Sequence, residues 1–163
     1  MDKKMDFFVP TNDYVFKRIF GHVGNEKITQ GLLNAILDIK VEKIELDKNT
    51  ITEKELYDDK IGILDIKAKI DNSINCDIEL QVVDRKNIKK RILFYWSKMY
   101  AQNIKEGEDY ENLRKSIVIL ITKFKLHNLK NIEKFHTEWK LREKDFGKIY
   151  IVKISIKLII FIN

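Results

Sequence analysis

Two runs of alternating apolar and polar residues meet at a short polar turn, and no other feature constrains the chain as tightly. In Lys60-Ile61-Gly62-Ile63-Leu64-Asp65-Ile66-Lys67-Ala68-Lys69-Ile70, the residues Leu64, Ile66, Ala68 and Ile70 share one face. In Cys76-Asp77-Ile78-Glu79-Leu80-Gln81-Val82-Val83, the residues Ile78, Leu80 and Val82 do the same. Between them, Asp71-Asn72-Ser73 is turn chemistry, because short polar side chains bond to nearby backbone and tolerate left-handed conformations. Together these pieces predict a β-hairpin.

Helical and strand signals surround that hairpin. Thr11-Asn12-Asp13 offers an N-cap before a short helix ending near Gly21. Ile28, Leu32, Leu33, Ala35 and Ile36 recur at three- and four-residue steps and predict a helix over about 25–38. Val41 to Leu46 reads as a short strand, and 47–60 as polar, irregular chain. A long helix is expected from about Asp84 to Lys105, with Ile88, Ile92, Tyr95 and Met99 in one stripe and Leu93, Trp96 and Tyr100 beside it. Lys115 to Thr122 is a continuous apolar run of the kind buried on both faces of a sheet. Phe135 to Arg142 reads as a further strand.

Charge is unevenly spread along this framework. Residues 1–83 carry 12 Lys/Arg and 16 Asp/Glu, whereas 84–163 carry 19 and 9. The densest basic run is Arg85-Lys86-Asn87-Ile88-Lys89-Lys90-Arg91. An acidic half followed by a basic half suits a polyanion held near carboxylates. The 26 Lys, 5 Arg and 26 Ile are equally what a biased genome composition would produce. One cysteine, Cys76, excludes an internal disulfide framework. No apolar run approaches the ~20 residues of a membrane helix, and the N-terminus lacks a secretory signal's apolar stretch, so the cytoplasm is the expected compartment.

Asp65 lies within the first strand between Leu64 and Ile66, where a carboxylate is costly to bury without a partner. Glu79 and Gln81 share a face of the return strand. A turn near Asn72 leaves Asp65 and Glu79 about equally far from it, so the two can converge. Paired carboxylates on rigid strands suit Mg²⁺, which takes oxygen ligands and keeps waters and substrate phosphates in its shell. Such an ion can activate water and stabilise a departing phosphodiester oxygen. A solvated outer sheet face fits the same residues.

In order along the chain, several segments resemble the PD-(D/E)XK nuclease family transposases, or recombination-promoting nucleases. Asn12 to Gly21 is similar to their opening helix, and Leu32-Leu33-Asn34-Ala35-Ile36-Leu37 to their second. Gly62 to Ala68 resembles the strand with the metal-binding Asp, and Ile78-Glu79-Leu80-Gln81 a Glu-x-Gln variant of the (D/E)-x-K motif. Arg91, Tyr95, Trp96, Tyr100, Gly107 and Tyr110 match an aromatic-rich helix and the Gly-x-x-Tyr after it. Phe135-His136 and the strand after them resemble a segment near the end of the conserved region.

This resemblance implies an α/β, restriction-endonuclease-like fold, with a mixed central β-sheet flanked by α-helices. It implies Mg²⁺- or Mn²⁺-dependent DNA cleavage associated with transposition or recombination, with Asp65, Glu79 and Gln81 catalytic and Asp65 and Glu79 on the metal. Gln81 stands where the wider superfamily has Lys; it can orient a water but cannot act as its base. Asp13 is a candidate further acid of the site, or simply a first-turn acid favoured by the helix dipole. Lys17, Arg85, Lys86, Lys89, Lys90, Arg91 and Tyr95 are the candidate DNA contacts. Homo-oligomerisation is compatible with the resemblance.

The nuclease-like domain is expected over residues 1–147. Residues 148–163 form an Ile/Lys-rich, β-prone run that fits a terminal core strand or, as the favoured reading, the atypical tail of a truncated or frameshifted frame, left as an exposed edge. A non-catalytic DNA-binding fragment is the alternative function. A small interaction protein with no nucleic-acid role ranks after both.

Overall fold

The computed structural model describes residues 10–47, 65–84, 86–129, 131, 133–148 and 154–160. Among the described residues, six strands form one mixed sheet in the order β1-β2-β3-β4-β6-β5. They are β1 (Ile44–Leu46), β2 (Asp65–Ile70), β3 (Ile74–Gln81), β4 (Lys115–Thr122), β5 (His136–Trp139) and β6 (Ile154–Ile160). Among the described residues the α-helices are α1 (Asp13–Phe20), α2 (Glu26–Ile36) and α3 (Ile88–Ala101).

The β2–β3 hairpin forms in the register its alternation predicts. Ile70 pairs with Ile74 across a turn in which Asp71 and Asn72 adopt left-handed backbone, with φ of 47° and 57°. Ile66, Ala68, Ile70, Cys76, Ile78 and Leu80 are buried on one face. Ile117, Ile119 and Ile121 of β4 extend that face in the same sheet, and Phe16 of α1 and Leu33 and Ile36 of α2 cover it. Asn12 caps α1 by accepting from the backbone N–H of Tyr14 and Val15 at 3.0 and 3.2 Å. β4 pairs in parallel with both β3 and β6, which accounts for its unbroken apolar run.

α3 covers the opposite face, seating Ile88, Ile92 and Trp96 on Val118 and Leu120 of β4. It is shorter than expected. Asn87 takes a left-handed conformation, φ 71°, so the helix begins after it. The stripe shifts accordingly: Trp96 is buried, while Leu93 is more than half exposed. Asn103, just beyond the helix, donates to Ser116 Oγ at 2.9 Å and accepts from Asn75, which ties this end of α3 to β3 and β4.

The expected exposed tail is corrected. Ile154–Ile160 is an interior strand, between β4 and β5. Ile159 is buried in the core, and the buried ammonium of Lys157 reaches Asp38 at 2.7 Å and Glu138 at 3.5 Å. That contact holds the Asp38 carboxyl below its ordinary range. Of the predicted strand over 135–142, His136–Trp139 forms and closes the sheet edge. Residues 48–60 of the expected irregular segment and 60–64 of the first hairpin run lie outside the described residues.

Candidate active site

Strand β3 presents two chemically different faces. Cys76, Ile78 and Leu80 enter the apolar core, whereas Asp77, Glu79 and Gln81 lie on the face beneath α3. Burial pushes the Cys76 thiol far above its ordinary pKa, so this cysteine is inert. Parity along the strand therefore decides which residues are packing and which are available for chemistry.

Asp65 and Glu79 are direct partners in the antiparallel ladder. Directly opposed residues share a face, with Cβ atoms roughly 4.5–5.5 Å apart. The convergence expected from counting outward from the turn is therefore present in the backbone register. Glu79 is 1 % exposed. Its Oε1 accepts from Gln81 Nε2 at 2.7 Å and from Arg91 Nη2 at 3.1 Å. A buried carboxylate needs such charge-assisted donors to offset its lost hydration. Arg91 reaches Glu79 from the first turn of α3, and its guanidinium lies 5.7 Å from the centre of the Tyr95 ring one turn on.

The other expected contacts divide. Lys86, Lys89 and Lys90 are exposed around the start of α3. Arg85 lies outside the described residues. Lys17 is only 6 % exposed, and its side chain is engaged within the fold rather than presented to solvent. Asp13 is the first residue of α1, beside the Asn12 cap, where its charge favours the helix N-terminus.

Asp77 was not singled out by the motif, yet it is 5 % exposed and lies on the Glu79 face. Its partner across the ladder is Lys67. The signal was present: Asp77, Glu79 and Gln81 share parity, as do Asp65, Lys67 and Lys69. Attention to the Glu-x-Gln triplet alone passes over them.

The acid pair fits a hard divalent cation by its donor chemistry. Asp65 and Glu79 are carboxylate residues at directly paired positions of two hydrogen-bonded strands. Among the described residues no group of three His, Cys, Asp or Glu is gathered into a full protein cage. Carboxylate oxygen donors suit Mg²⁺ or Mn²⁺, which share their shell with water and phosphate, better than a structural zinc ion, which favours Cys and His.

A mixed sheet between helices, with paired acids on two adjacent strands, is the architecture of a restriction-endonuclease-like protein. Residues 10–163 match the family model for the PD-(D/E)XK nuclease family transposases, and the chain belongs to that family. The match continues through β6, past Gly147, where the resemblance was expected to stop. Comparisons with curated proteins and with solved structures give no match. No described helix is long and apolar enough to cross a membrane.

Proposed function

We propose that this protein is a divalent-metal-dependent DNA endonuclease acting in transposition or recombination. The observation that carries the proposal is the Asp65–Glu79 ladder pair, with Gln81 and Arg91 both donating to Glu79. Asp65 and Glu79 would hold Mg²⁺ or Mn²⁺. When bound, the ion supplies Lewis-acid activation of water and charge neutralisation at the scissile phosphate.

The chain's own residues do the rest. Gln81 holds the Glu79 carboxylate in place and, being neutral, orients rather than deprotonates. Arg91 brings a permanent positive charge to the edge of the acid pair, matched in geometry to phosphate oxygens. Lys86, Lys89 and Lys90 extend that positive field around the start of α3, where a polyanionic backbone gains affinity from each neutralised phosphate.

Supercoiled plasmid is expected to be nicked by the full chain with Mg²⁺ or Mn²⁺ and not with EDTA. Asp65→Ala should lower the rate at least about a hundredfold, since even outer-shell partners of metal ligands commonly cost ~10–100-fold. Nicking that persists unchanged in Asp65→Ala would sink the proposal. Salt-sensitive DNA binding without any nicking would favour the non-catalytic fragment instead.

A further inference from the structure

We propose that a groove beside the acid pair is a binding subsite for an unpaired DNA strand, with Lys67, Lys69 and Lys98 as its phosphate contacts and Tyr95 as its stacking face. This rests on the nuclease reading and extends it to the form of the substrate.

The groove encloses about 500 Å³ between α3 on one side and the β1–β3 surface on the other. Its two ends are fixed by side-chain contacts. At one end Arg91 bonds Glu79; at the other Asn103 accepts from Asn75. Helix and hairpin thus run alongside each other from the acid pair outward. Asp65, Lys67 and Lys69 have the same parity on β2 and face Glu79, Asp77 and Asn75 in the ladder. Each two-residue step advances about 6.6 Å. Consecutive cations are then spaced much as consecutive phosphates are along an extended strand. Lys98 lines the opposite wall, and Tyr95 lies between it and Arg91 on α3.

Formal charge in the groove is balanced, but the pairing is not. Glu45 is already bridged to Lys43 at 3.2 Å. Asp47 and Asp77 each have a partner within the fold. Lys67, Lys69 and Lys98 form no ion pair with any described residue. Among the described residues, three ammonium groups are therefore left without an ion-pair partner. The half-buried Tyr95 ring adds a sequence-tolerant surface for a base. The volume lies in the ~300–1,000 Å³ range of pockets that enclose small molecules. A volume of that size matches a short stretch of one strand.

The test is fluorescence anisotropy of the full chain in EDTA, with a short labelled DNA strand and with the same sequence as a duplex. Wild type should bind the unpaired strand more tightly. The triple variant Lys67→Gln/Lys69→Gln/Lys98→Gln should lose on the order of a hundredfold in strand affinity at 0.1 M salt, with a log–log salt slope shallower by about 2, from ~0.7 per phosphate contact. Tyr95→Leu should cost about tenfold. Unchanged strand affinity in the triple variant, at an unchanged melting temperature, would overturn the proposal. So would equal or tighter binding of the duplex. Metal- and Asp65-dependent nicking with an indifferent triple variant would sink the groove alone. No binding and no nicking would sink the nuclease reading with it.

Discussion

A chain ending at Lys148 is expected to be recovered insoluble, or to lack a cooperative melting transition. Without β6, the apolar β4 becomes an unpaired edge and β5 loses its partner. The core also loses Ile159, and Asp38 and Glu138 lose the Lys157 ammonium. The loss of an interior strand is large against the ~5–15 kcal/mol margin by which a domain is stable. Circular dichroism melting of the shortened chain beside the intact one is the measurement. A soluble fragment melting at the same temperature would show that β6 contributes nothing to the fold.

Glu79→Gln should abolish nicking while leaving the melting temperature unchanged or higher. The substitution keeps the shape of the side chain and removes a carboxylate buried to 1 % exposure. Arg91→Ala should act in the opposite sense on stability, costing about 2 kcal/mol. It leaves the Glu79 charge with fewer donors, although the arginine is one-quarter exposed and the full penalty of a buried pair does not apply. The double variant should recover most of that loss and remain inactive. A thermodynamic cycle over the four proteins reads the coupling directly. Additive effects, with no recovery in the double variant, would show that Arg91 does not compensate the Glu79 charge.

Legibility followed the distance over which each interaction acts. The hairpin was readable because its turn and both alternating strands lie within one short segment, and its register placed Asp65 opposite Glu79 by counting alone. The order of strands around β4 was not readable, because neither parallel neighbour is adjacent in sequence. β6 was misread for a related reason. Its Lys157 and Ile159 resemble compositional bias until β4 and β5 are placed on either side. Arg91 was visible as part of a motif, but its hydrogen bond to Glu79 depends on where α3 begins, which the left-handed Asn87 determines. Lys67, Lys69 and Lys98 carried no motif, and only the docking of α3 brings them into one groove.

The three-residue turn between β2 and β3 has a kinetic consequence. The acid pair is brought together by a local hairpin, of the kind that forms in ~1–10 μs. The ladder pairs of β4, by contrast, join residues about forty positions apart on both sides, and such loop closures are slow. During folding, Asp65 and Glu79 therefore meet while still hydrated, where the repulsion between two carboxylates is weak. Desolvation of Glu79 comes later, when β4 docks and α3 delivers the Arg91 guanidinium. The order of assembly thus separates the positioning of the two acids from the far more costly step of burying the Glu79 charge.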